Sequence, residues 1–122
     1  MQFGIILKMI SMPNYSKNVI ILVRYPFSDL SNAKVRPAVI VNAPHSSQDI
    51  MIVPLTSKTG SLLDGEFLLS EWKVSGLNVP TSVKRGIYTV NRNLVIKVVG
   101  CLVGIGIDIE GLDRSLRVWL GL

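Results

Sequence analysis

The chain has a single cysteine and a single histidine. One thiol cannot form an internal disulfide, which excludes a small secreted scaffold stapled by bridges. One thiol and one imidazole cannot supply the Cys/His spacing of a metal cage, so any catalysis is expected to need neither metal nor cofactor. Acids are also scarce, at 8 Asp and Glu against 13 Lys and Arg, for a formal net charge of +5. Between Trp72 and Ile107 there are five cations, Lys73, Lys84, Arg85, Arg92 and Lys97, and no carboxylate. A surface so biased suits a polyanion. No apolar run approaches the ~20 residues of a bilayer-spanning helix; the longest are Val19 to Val23 and the glycine-interrupted Val98 to Ile107. The opening stretch MQFGIILKMISM lacks the basic start, long apolar stretch and small-residue cleavage site of a secretory signal. The expected location is therefore cytoplasmic, with Met9 and Met12 as alternative starts.

What the chain does have is apolar content. At 122 residues it has room for one domain, residues 1–122, with 1–14 as a flexible N-terminal extension. Apolar residues make up 48% of it, and the mean hydropathy is +0.44. That is rich for so small a monomer and points to an interface, most simply a homodimer. Val19 to Tyr25, Ala38 to Asn42 and Ile50 to Pro54 are β-branched runs of strand length bounded by Pro, Asn, Ser and Asp. Glu66 to Leu69, Ser82 to Val90 and Val95 to Val103 give three more strands, the last two joined by a turn at Asn91 to Asn93. Six short strands with brief connections predict a mainly β fold, a small, partly open barrel of SH3-like type. Ser70 to Gly76 predicts a helical turn with Ser70 as N-cap and Gly76 just past its end. From Asp108 the period changes: Ile109, Leu112, Leu116, Trp119 and Leu120 define one face of a C-terminal helix, which Asp108 would cap. Glu110 and Asp113 fall near its positive end and Arg117 near its negative one.

Two of the strand-like segments flank a polar loop that carries Lys34 and ends at Arg36-Pro37, and the hydroxyl pair Thr56-Ser57 follows the third. Such a set can hold a phosphate and do chemistry beside it. The residues YPFSD at Tyr25 to Asp29, KVRPAV at Lys34 to Val39 and VPLTS at Val53 to Ser57 also resemble a family. The pattern is similar to that of the MazF/PemK toxins, the endoribonuclease half of bacterial toxin–antitoxin pairs, from about Tyr15 to the C-terminus.

The resemblance implies a PemK-like barrel and an endoribonuclease that cuts single-stranded mRNA through attack of the ribose 2′-OH, silenced by a cognate antitoxin protein. Arg36 is then the candidate for stabilising the phosphorane-like transition state, because its guanidinium fork matches phosphate oxygens and Pro37 stiffens the chain beside it. The alternative for Arg36 is an ion pair with Asp29. Thr56 occupies the place of the second active-site residue, and a hydroxyl suits positioning and hydrogen-bond donation rather than base chemistry. The bland fate of Thr56 is to cap its own backbone. Lys34, Ser57, Lys58, Lys84 and Arg85 are candidate RNA contacts, Ser28 lies in the loop expected to shape base preference, and Phe27 and Tyr88 are candidate stacking platforms. Tyr25 and Phe27 fit core or dimer contacts equally well. His45, in the turn NAPHSSQD, reads as solvated rather than catalytic.

The chain also departs from the pattern. Many members carry an acid or glutamine on the strand that matches Ser82 to Val90, where this chain has Lys84, Arg85 and Gly86. That leaves the general base unassigned. The usual Gly-Asp before the first strand is Lys17-Asn18, a turn substitution. Two rivals stand beside the nuclease: a CcdB-like barrel that inhibits a topoisomerase and cuts nothing, and a degenerate RNA-binding barrel.

Overall fold

The computed structural model describes residues 15–25, 34–42, 49–103 and 106–122. An antiparallel sheet of seven strands runs through it: β1 (Val19–Tyr25), β2 (Lys34–Ile40), β3 (Asp49–Thr56), β4 (Phe67–Leu68), β5 (Ser82–Val83), β6 (Tyr88–Asn91) and β7 (Val95–Cys101). Helix α1 (Ile107–Leu120) follows. The strand order is β4-β5-β3-β2-β1-β7, with β6 also paired to β3. The sheet does not close, so the expected mainly β, partly open barrel with a C-terminal helix is what forms. No helix among the described residues is long and apolar enough to cross a membrane.

The unbroken apolar runs have a simple cause. Successive side chains of a strand point to opposite faces, and here both faces of the central strands are covered. Ile20, Val39, Val53 and Leu55 join one core cluster with Leu69, Val83, Leu102 and Leu112. Their neighbours Ile21, Ala38, Ile40 and Ile52 join a second one with Val23, Ile50 and Val90, packed under Tyr15, Tyr88 and Val95.

Several boundaries differ from expectation. β2 begins at Lys34, four residues before Ala38, so Arg36 and Pro37 lie on a strand rather than in a loop. β3 continues to Thr56. The stretch Ser82 to Val90 is two strands, because the backbone leaves the ladder at Lys84 and turns at Gly86, whose φ of 141° favours glycine. Both halves still pair with β3: Ser82 lies opposite Thr56 and Tyr88 opposite Ile52. The link from β6 to β7 is a 3-10 turn over Arg92–Leu94, capped by the Asn91 side chain, which accepts from Asn93 N at 2.8 Å. It carries the chain from β3 to β1, since β7 pairs with β1 and not with β6. At the start of β1, Asn18 takes φ 75°, a left-handed conformation that asparagine tolerates. Cys101, the single cysteine, is exposed at the end of the edge strand β7. Residues 1–14, Phe27, Ser28, Asp29 and His45 lie outside the described residues, as does the side chain of Tyr25.

Helix α1 packs with a face rotated from the expected one. Asp108, Gly111, Leu112 and Ser115 are buried, and Ile109, Leu116 and Trp119 pack beside them. Leu120 is instead 57% exposed. Small residues set this seat: Gly111 sits against the Phe67 ring, and Ser115 Oγ donates to Gly65 O. Trp119 Nε1 donates to Asp64 O at 2.9 Å. Asp108 does not cap its own helix, whose N-cap is Gly106 with no side-chain bond. Its carboxylate reaches across to the helical turn at Ser70 to Gly76, where Oδ1 accepts from Ser70 N and Oδ2 from Glu71 N, each at 2.8 Å. The N-cap of that turn is thus a remote aspartate and not Ser70. Gly76 ends the turn at φ 102°, as expected of a glycine in that place. There it lies against the backbone of Val99 and Gly100 so closely that a side chain on Gly76 or Gly100 would strike main-chain atoms.

Candidate functional site

β3 pairs with β2 only from Ala38 onward, opposite Pro54. The part of β2 before that point, with Arg36 opposite Val23 on β1, therefore borders open space. A cleft of about 770 Å³ lies there. β2 contributes Lys34, Arg36 and Pro37 to it, and the end of β3 with the following loop contributes Pro54 to Lys58. Lys97, Val98 and Val99 of β7 join Leu22 of β1, which faces Lys97 across the ladder. The remaining wall is Gly76 to Val79 with Thr81, and Lys84 stands at its edge.

Among the described residues the lining has five cations (Lys34, Arg36, Lys58, Lys84 and Lys97) and no carboxylate, histidine or aromatic ring. Such a cleft concentrates positive potential and is built for anions. Arg36 is exposed there, with no described carboxylate in the cleft to neutralise its fork of donors. Thr56, the last residue of β3, accepts from Lys58 N at 3.1 Å through Oγ1. It caps its own loop, as such residues commonly do, and keeps its hydroxyl proton free to donate.

Neighbouring cations in the sequence part company. Lys84 N donates to Pro54 O at 2.9 Å, which holds Lys84 against β3 at the cleft. Arg85 is not among the lining residues; its backbone N–H donates to Glu66 Oε2 at 2.8 Å. The other oxygen, Oε1, accepts from Leu63 N at 2.7 Å. Burial alone would raise the pKa of Glu66, but the Arg85 and Leu63 N–H bonds and the charges of Lys84 and Arg85 outweigh it, and the carboxyl titrates below its ordinary 4.5. Tyr88 packs against the second core cluster and is also outside the cleft. Of the candidates read from the sequence, Lys34, Arg36, Thr56, Ser57, Lys58 and Lys84 meet in one place.

Three polar lining residues were not singled out as site residues. Lys97 belongs to the acid-free run of cations, and strand alternation on β7 could have placed it beside Leu22. Asn78 and Thr81 sit in the irregular stretch GLNVPT, which has no periodicity to read. Thr81 Oγ1 donates to Val79 O at 2.8 Å. Among the described residues no three His, Cys, Asp or Glu side chains gather closely enough to hold a metal ion.

No protein-family model and no curated protein matches the chain. Solved structures do. An endoribonuclease in complex with its cognate antitoxin, from Mycobacterial species, superposes with a TM-score of 0.69 at 17% identity, covering 88% of this chain and 95% of that one. The Mycobacterium tuberculosis toxin MazF-mt6 gives 0.67 at 19%, covering 85% and 97%. A further endoribonuclease from Mycobacterial species gives 0.68 at 17%, covering 91% and 96%. At this identity the likeness is one of fold, and it extends over nearly the whole of each chain.

Proposed function

We propose that the chain is a toxin of MazF/PemK type: a sequence-selective, metal-independent endoribonuclease that cuts single-stranded mRNA in the cytoplasm as a homodimer and is neutralised by a cognate antitoxin. The observation that carries this reading is the convergence of Arg36 and Thr56, distant in sequence, in one cleft with four further cations and no described acid. The fold shared with a toxin and with an endoribonuclease bound to its antitoxin supports it. In this reading the Arg36 fork engages the non-bridging oxygens of the scissile phosphate, and its charge stabilises the dianionic transition state. Thr56 donates to one of the same oxygens and orients the phosphate. Attack by the 2′-oxygen forms the bond to phosphorus as the bond to the 5′-oxygen breaks, leaving a 2′,3′-cyclic phosphate and a 5′-OH. The lysines hold the flanking phosphates. Exposed Ile107, Val118 and Leu122 on and after α1 support a subunit interface.

The described lining, which has no acid and no histidine, favours a second reading, an RNA-binding barrel of the same fold that cuts nothing. Incubating the purified protein with a long transcript in EDTA separates the two. The nuclease yields defined fragments, and Arg36→Ala lowers the rate by ~10²–10³ while the protein stays folded. Arg36→Lys recovers little, because a point charge does not reproduce bidentate geometry. RNA bound without cleavage establishes the second reading, and an alanine variant within a few-fold of the parent removes Arg36 from the chemistry.

A further inference from the structure

The cleft lining divides into two kinds of surface. One is the set of five cations, which can grip phosphates but cannot tell one base from another. The other is an aliphatic strip of Leu22, Leu77, Val79, Val98 and Val99, in which Val79 and Val98 are 49% and 43% exposed. Among the described residues a base laid on that strip meets no aromatic ring, the commonest platform for a splayed base. Asn78 interrupts the strip. We infer that Asn78 is the base-reading residue of the RNA-binding cleft, an inference that rests on the RNA reading proposed above.

Three observations lead there. First, among the described lining residues Asn78 alone presents a hydrogen-bond acceptor and donor side by side at fixed spacing. The hydroxyls of Thr56, Ser57 and Thr81 are rotors that adapt to either partner, and two are engaged: Thr56 Oγ1 accepts from Lys58 N, and Thr81 Oγ1 donates to Val79 O. Second, the Asn78 side chain is exposed and has no hydrogen-bond partner among the described residues, so the fold makes no use of it. Third, Asn78 is held from both sides. Upstream, Gly76 closes a helical turn that is fastened to the buried Asp108 at its start and seated against Gly100 at its end. Downstream, Thr81 O accepts from Leu69 N at 2.9 Å. The backbone that bears the carboxamide is anchored at both ends, so contact with a ligand forgoes side-chain freedom but little backbone freedom. Its ligand is the base edge that offers one donor beside one acceptor: on the N7 side only adenine does so, through N6–H and N7, whereas guanine offers two acceptors, cytosine only its N4–H and uracil only O4.

Equilibrium binding of single-stranded 2′-O-methyl oligo(A), oligo(C) and oligo(U) of equal length, which lack the attacking hydroxyl and stay whole, measured by fluorescence anisotropy at several salt concentrations, tests this. The parent should bind oligo(A) tightest of the three. Asn78→Ala should compress the spread between best and worst by roughly 5- to 150-fold, the discrimination of one bidentate amide–base pair. Its salt slope should stay that of the parent. Lys97→Ala should weaken all three alike, keep their ranking and reduce the slope by about 0.7. A parent that does not bind oligo(A) tightest, or an Asn78→Ala variant that keeps the ranking or alters the slope, overturns the assignment while leaving RNA binding in place. A parent that binds none of the oligonucleotides refutes the RNA reading itself.

Discussion

Replacing Asp108 should show how far the cleft depends on a residue that does not touch it. The side chain is fully buried and its two oxygens accept from Ser70 N and Glu71 N, each at 2.8 Å. A hydrogen bond to a charged group contributes about 1.5–3 kcal/mol. Complete loss of both would cost about 3–6 kcal/mol, and water reaching the exposed Ser70 and Glu71 should hold the cost of Asp108→Ala near the low end, about 3 kcal/mol. That is a large share of the 5–15 kcal/mol typical of a domain. With a urea m-value of ~1.5 kcal/mol/M, the midpoint should fall by ~2 M with no change in m. Asp108→Asn keeps one acceptor and turns an NH₂ toward the other N–H, so it should fall between parent and alanine. Hydrogen exchange gives a local readout: the amides of Ser75, Gly76 and Leu77, which close the turn, should lose protection in Asp108→Asn before those of β1 and β2 do. An alanine variant within about 0.5 kcal/mol of the parent, or uniform deprotection across the sheet in Asp108→Asn, would refute the idea that Asp108 acts through the turn.

Gly100→Ala places a methyl against the Ser75 carbonyl, where main chain lies on both sides, and should destabilise by about 1–3 kcal/mol in the same unfolding assay; a neutral result would mean the turn slides freely over β7. Glu66 is held as its anion by two backbone donors, so its contribution to stability is present above its ordinary 4.5 and disappears as pH falls through its lowered pKa. Thermal melts of parent and Glu66→Gln should therefore differ at pH 7 and converge as the pH falls below 4.5 and through the lowered pKa, and curves that separate further in acid would contradict the sign. In salt titrations of RNA binding, Lys84→Ala should reduce the slope by about 0.7 and Arg85→Ala should leave it unchanged, because only Lys84 lines the cleft; equal effects would place both on the RNA.

The strands were legible because β-branched runs bounded by turn residues have few other uses, and the open barrel follows from their number and spacing. Hidden from view was the burial of both sheet faces. Continuous apolar runs such as Val19 to Val23 arise equally from a strand covered on two sides and from a short core helix. Arg36 and Thr56 stood out through their motif contexts, yet only the register that leaves β2 unpaired before Ala38 explains why Arg36 borders open space. Asp108 misled because local spacing places a carboxylate at a helix start, whereas its partners lie 38 and 37 residues away. Arg85 and Tyr88 lie outside the cleft for a related reason: cation and ring suit RNA, but β6 returns to β3 beyond the cleft and packs a half-buried Tyr88 against the second core cluster. Asn78 carries no local signal, since its position depends on a turn, a glycine contact and a bond from Leu69, all made to other elements.

The pairing of β1 with β7 also has a temporal side. Leu22 and Lys97 face one another although about 75 positions separate them along the chain. Closing so long a loop is entropically unfavourable until both strands are available, and such non-local pairings form late. On the ribosome β1, β2 and β3 emerge first and can zip as neighbours, but one side of the cleft is missing until β7 has been made. Lys97, Val98 and the Gly100 seat for the wall that bears Asn78 all arrive with that strand. A nascent chain stopped before it holds Arg36 and Thr56 without the walls that would present RNA to them. On the nuclease reading proposed above, the chain would thus be unarmed while still attached to the message that encodes it.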